Sequence, residues 1–134
     1  LMLRLVCYKD DHLLTNAEVR LNARIVTKNQ GYQFFNLKLE RSHVDSLVLN
    51  WTVVHPIDEH SPFLGLSQKD IVNLQPEISV YLSGFDEVYS SVVVARASYA
   101  IKDFKFGFRF LPMYFSRNQR TELDLSKLNL IDQE

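Results

Sequence analysis

Over residues 17–25 apolar and polar side chains alternate without a slip: Ala17, Val19, Leu21, Ala23 and Ile25 against Glu18, Arg20, Asn22 and Arg24. No other feature constrains the fold as hard. Period two sets successive side chains on opposite faces of an extended chain, whereas a helix would scatter the same residues around its circumference. Residues 17–27 are therefore expected to form a strand with one buried face. The pattern recurs elsewhere. Leu1, Leu3, Leu5 and Cys7 share a face opposite Met2, Arg4 and Val6. Phe35, Leu37 and Leu39 alternate with Lys38 and Glu40, and Ile78, Val80 and Leu82 share a face within residues 77–83.

Turn residues separate these runs: Tyr8-Lys9-Asp10-Asp11, Asn29-Gln30-Gly31, and Gly84, which is read as breaking its strand. Residues 47–55 read as one strand and residues 88–101 as a long one. In residues 104–110 (FKFGFRF) the rings of Phe104, Phe106, Phe108 and Phe110 fall on one face, opposite Lys105 and Arg109. Four rings at period two are expected to fill core. Residues 121–125 make a last short strand, followed by a frayed tail. One segment is helical in pattern: Ser67 and Asp70 form a capping box, Ile71 and Leu74 follow Leu66 at helical spacing, and Pro76 stops the run. About eight short strands with one two-turn helix predict an all-β fold, an immunoglobulin-like antiparallel β-sandwich.

At 134 residues the chain reads as one domain. Fifteen Lys and Arg against sixteen Asp and Glu give a net charge of −1, which offers no support for nucleic-acid binding. The single cysteine, Cys7, excludes an internal disulfide and fits a reducing compartment. No apolar run reaches the roughly 20 residues that span a bilayer. The chain opens on a strand-like LMLRLV, so it is read as a piece of something longer.

Residues 51–66, WTVVHPIDEHSPFLGL, begin as a half-buried strand with Trp51, Val53 and His55 on one face. Pro56 and Pro62 then forbid its continuation. The result is a stiff charged loop, suited to contact. His55, Asp58, Glu59 and His60 have the composition of a metal cluster, but Pro56 prevents a helix from presenting both histidines together. A hydrogen-bonded turn is the better account. Arg96 shares a face with Val92 and Val94 and needs a carboxylate, for which Glu87, Asp58 and Glu59 are candidates, unless it reaches to solvent. No nucleophile elbow, phosphate loop or Cys–His pair is present, and the chain is not read as an enzyme. No cofactor is implied.

LERS at 39–42, WTVVHPIDEHSP, SGFDE at 83–87 and ARASY at 95–99 together resemble the C-terminal cytoplasmic domain of bacterial inward-rectifier potassium channels, the KirBac type. The resemblance runs over residues 35–114. It implies the regulatory and assembly domain of a homotetrameric channel in the voltage-gated channel class. That domain would be the cytoplasmic part of an integral inner- or plasma-membrane protein, extending and gating the potassium pathway below a pore that lies outside this chain. It also implies that Gly84, Phe85, Asp86 and Glu87 form a pore-lining loop, with Phe85 as an apolar narrowing and Asp86 as an acidic ring. His55, Asp58, Glu59, His60 and Arg96 would lie at the subunit interface, and Lys9 would contact a phosphoinositide or other anionic lipid headgroup. Rectifying relatives carry acids just before the loop glycine and in the early strand. Ser83 and Thr15 or Asn16 stand there, which implies weak block by polyamines or Mg²⁺. The alternative is a free-standing β-sandwich module binding lipid, peptide or sugar.

Overall fold

The computed structural model describes residues 1–6, 13–29, 31–48 and 50–133. Cys7 and Lys9 lie outside them, so the first turn and the lipid-contact expectation at Lys9 do too. Among the described residues eleven strands and one α-helix follow in order: β1 (Met2–Leu5), β2 (Leu14–Thr27), β3 (Gly31–Leu37), β4 (His43–Leu47), β5 (Trp51–Val54), α1 (Gln68–Leu74), β6 (Glu77–Asp86), β7 (Ser91–Ala100), β8 (Phe108–Phe110), β9 (Tyr114–Arg117), β10 (Arg120–Leu123) and β11 (Ile131–Gln133).

The predicted all-β sandwich with one short helix is present. Its principal layer is a five-stranded antiparallel sheet ordered β3-β2-β6-β7, in which β4 also pairs with β2. One edge of β2 serves two partners in turn: residues 14–18 pair with β4 and residues 21–27 with β3, while the other edge carries β6. The inner face holds the alternating set Ala17, Val19, Leu21, Ala23 and Ile25, together with Ile78 and Val80. Against it packs the β1–β5 ribbon through Trp51 and Val53, with Leu1, Leu3 and Leu5 half-buried beside them. Burial of this kind stabilises by about 1.5–3 kcal/mol per large side chain.

β2 begins three residues earlier than its alternation suggests. Asn16 adopts φ 48° and the register with β6 shifts between Thr15 and Glu18, so a bulge inserts one residue and brings Leu14 onto the same inner face as Ala17. Residues 47–55 are two strands and not one. β4 belongs to the large sheet and β5 to the β1 ribbon, so the apolar run crosses from one layer to the other.

Gly84 does not break its strand. β6 continues through it to Asp86, and a Cβ there would lie 2.6 Å from Leu14 Cγ. The glycine makes room for a neighbour. The four phenylalanines of residues 104–110 do not form one strand face either. Gly107, at φ 73°, turns the chain between a 3₁₀ turn at Ile101–Asp103 and the short β8. Residues 126–133 are not frayed, since β11 pairs with β8, and ahead of them a β9–β10 hairpin closes over Asn118-Gln119. Arg4 joins this C-terminal part to the sandwich: its guanidinium donates to the carbonyls of Leu111 (2.6 Å) and Lys127 (3.4 Å) and lies 4.4 Å from the Phe110 ring centroid.

Candidate functional site

The outer face of β2, β6 and β7 is built in cross-strand rows. Thr15, Phe85 and Val92 form the first, Glu18, Ser83 and Val94 the second, Arg20, Tyr81 and Arg96 the third. Phe85, Val92 and Val94 are 37%, 72% and 56% exposed, an apolar corner that the chain leaves uncovered. In the third row the Tyr81 ring lies between two guanidiniums, 5.9 Å from Arg20 and 5.3 Å from Arg96. This stacking replaces the carboxylate expected for Arg96. Among the described residues neither Glu87, Asp58 nor Glu59 pairs with it, and its side chain stands exposed. Arg20 is within 3.4 Å of Glu18. Register alone brings these residues together, and no spacing within the sequence signals it.

Alternation also divides the residues expected to line a pore. Phe85 points outward, so Gly84 and Asp86, its neighbours in β6, point inward. Asp86 is 7% exposed, and its Oδ1 accepts from the amides of Val88 (2.9 Å) and Tyr89 (3.1 Å). It closes the turn joining β6 to β7 and does not present an open acidic ring. The loop proper is residues 87–90, so of the four residues only Glu87 lies in it.

The 55–62 loop is the hydrogen-bonded turn expected, with one change of role. His55 is 1% exposed, so it is not a surface contact. Its Nδ1 lies 2.6 Å from the Lys38 carbonyl and its Nε2 2.8 Å from Ser61 Oγ. A carbonyl only accepts, so Nδ1 donates and Nε2 accepts from the serine hydroxyl. Ser61 Oγ in turn accepts from the Phe63 amide at 3.2 Å. Asp58 Oδ1 accepts from the His60 amide at 3.0 Å, leaving Glu59 and His60 exposed at the tip. His55 therefore sets the loop, and Glu59 and His60 are what it offers to a partner.

Residues 1–133 match the family described as the inward rectifier potassium channel C-terminal domain. The chain belongs to this family.

Relatives in the inward rectifier family include the inward rectifier potassium channel Kirbac3.1 of Paramagnetospirillum magnetotacticum, 34% identical over 102 residues, or 75% of this chain and 35% of the relative. The ATP-sensitive inward rectifier potassium channel 12 of Mus musculus is 36% identical over 80 residues, or 60% of this chain and 19% of that one. The inward rectifier potassium channel 18 of Homo sapiens matches at the same identity and length, covering 18% of its sequence. The chain thus spans about a third or less of the length of these relatives. The inward rectifier C-terminal domain is a channel-domain family and not a class of enzymes. Its description, like those of the relatives, names inward rectification and not voltage gating, which corrects the expected voltage-gated class. No helix among the described residues is long and apolar enough to cross a membrane.

Of the neutral positions that the resemblance sets against rectifying acids, Thr15 and Ser83 stand in adjacent rows of this inward rectifier domain, and Asn16 lies in the bulge. Thr15 is the register partner of Phe85, and Ser83 that of Glu18. Glu18 is an acid on this face that no sequence motif marks. It stands one row from Thr15, half-buried beside Arg20, placed there by the pairing of β2 with β6.

Proposed function

We propose that this chain is the cytoplasmic regulatory and assembly domain of a homotetrameric inward-rectifier potassium channel, one domain below a membrane pore supplied by other parts of the protein. The observation that carries the proposal is the uncovered outer face of β2, β6 and β7, which aligns Phe85, Ser83 and Thr15 in adjacent rows. An exposed apolar corner on a globular domain marks an interaction surface. Four copies around an axis would cover the valines and bring four Phe85 rings into an apolar constriction on the potassium path. Glu87 lies at the turn beside it. Arg96, stacked on Tyr81 and without a carboxylate partner among the described residues, would meet a neighbouring copy, as would Asp58, Glu59 and His60 on the stiff loop. Gating follows if the ring has two arrangements that a ligand binds unequally. Lys9 remains the candidate for an anionic headgroup.

Ser83 and Thr15 are neutral, Asp86 is capped and Glu18 faces Arg20, so polyamines and Mg²⁺ find little negative charge on this face. Current recordings from the full-length protein test both levels of the proposal. Potassium-selective currents with weak spermine block are expected. Absence of potassium current contradicts the channel function, and steep micromolar spermine block contradicts the proposed lining.

A further inference from the structure

A cavity of about 690 Å³ lies between β1, α1 and the C-terminal strands, away from the β2–β6–β7 face. Phe63 and Ile78 form its buried floor, and Phe104, Phe106, Phe108 and Phe110 line its wall. Its volume is in the range of sites for small organic ligands, which are largely apolar with a few polar groups that fix orientation. The charged groups of the lining are three cations, Arg4, Lys105 and Arg109, and one acid, Asp103. Arg4 is already committed to the Leu111 and Lys127 carbonyls. Lys105 and Arg109 are exposed lining residues and, among the described residues, neither has an ion-pair partner.

The lining acid Asp103 and the nearby Asp132 are otherwise engaged. Asp103 Oδ2 accepts from the Ala100 amide at 2.9 Å, and Asp132, opposite Arg109 in the β8–β11 register, turns Oδ1 to the Gln133 amide at 2.9 Å. We infer that this cavity binds a single-chain amphiphile with an anionic head, a long-chain carboxylate. The hydrocarbon lies among the phenylalanine rings and the carboxylate meets Lys105 and Arg109. Charge complementarity selects this occupant, because a neutral ligand leaves both cations unused. This also accounts for the phenylalanines of residues 104–110, which line a recess where a strand would have buried them in the core.

The test uses the full-length protein and a diazirine-bearing hexadecanoate as photolabel, displaced by unlabelled carboxylates of increasing chain length. Label is expected in peptides containing Ile57 to Ile71 and Phe104 to Phe110. Half-displacing concentrations should fall about fourfold per added methylene, as burial of each CH₂ predicts. The double variant Lys105→Glu/Arg109→Glu, both at exposed positions, should bind the carboxylate about tenfold more weakly. It should bind the matching alcohol unchanged, with an unaltered thermal unfolding curve. Absence of label from both segments overturns the inference, as when another part of the protein fills the cavity. So does a charge reversal that leaves carboxylate binding unchanged or weakens carboxylate and alcohol alike.

Discussion

Ser61 Oγ serves two partners at once, donating to His55 Nε2 and accepting from the Phe63 amide, in a site closed to solvent. Ser61→Ala leaves both without a partner, and a buried polar group left unmade costs about 1–3 kcal/mol. Chemical denaturation should show that loss with an unchanged slope. Gly84 is the second residue on which the fold turns. Gly84→Ala places a methyl group 2.6 Å from Leu14 Cγ, and overpacking of this kind costs about 1–3 kcal/mol. Leu14→Ala in the same chain should recover part of that loss, so a double-mutant cycle reports a coupling between the two positions. Of these two sites only one was legible. The two prolines and the polar residues between them announce a hydrogen-bonded turn, though not which histidine lies inside it. The Leu14–Gly84 contact depends on a bulge at Asn16 that shifts register by one residue, which local sequence does not announce, so Gly84 has the look of a strand breaker.

At the scale of elements, α1 is held by its cap. Asp70 accepts from the Ser67 amide (2.8 Å) and hydroxyl (2.7 Å), and these bonds hold its carboxyl below the usual range. A lowered folded pKa gives a contribution that is present above the unfolded value, about 3.9, and lost as pH falls through the folded one. Asp70→Asn should therefore lower the unfolding temperature at neutral pH. Its difference from the parent should shrink towards zero below the carboxylate range. A pH-independent difference would show that the carboxylate's charge is not what matters. The capping box was legible because both residues sit within four positions. So was β2, where one face is buried along most of its length. Legibility failed where one apolar run serves two layers, as in β4 and β5. It failed again where Gly107 takes a positive φ between rings whose spacing suggests a single strand.

For the whole molecule, strand register decides which residues meet. It sets Thr15 beside Phe85, Ser83 beside Glu18 and Tyr81 between two arginines, and it turns Asp86 inward. The all-β class follows from local alternation, whereas the composition of the outer face requires pairings between residues about 60 apart or more along β2 and β6. The proposed function gives that face a use, in a ring around an ion path. Spin labels report such a ring directly. In the full-length protein with Cys7→Ser and every cysteine outside this chain replaced, labels placed singly at Phe85 or at Val72 on α1 yield inter-subunit distances by pulsed electron paramagnetic resonance. Phe85 at the axis of a fourfold ring predicts two separations in a ratio of about 1.4, the side and diagonal of a square, both shorter than those from Val72. A single separation, no inter-subunit separation, or Phe85 distances longer than those from Val72 would contradict the account.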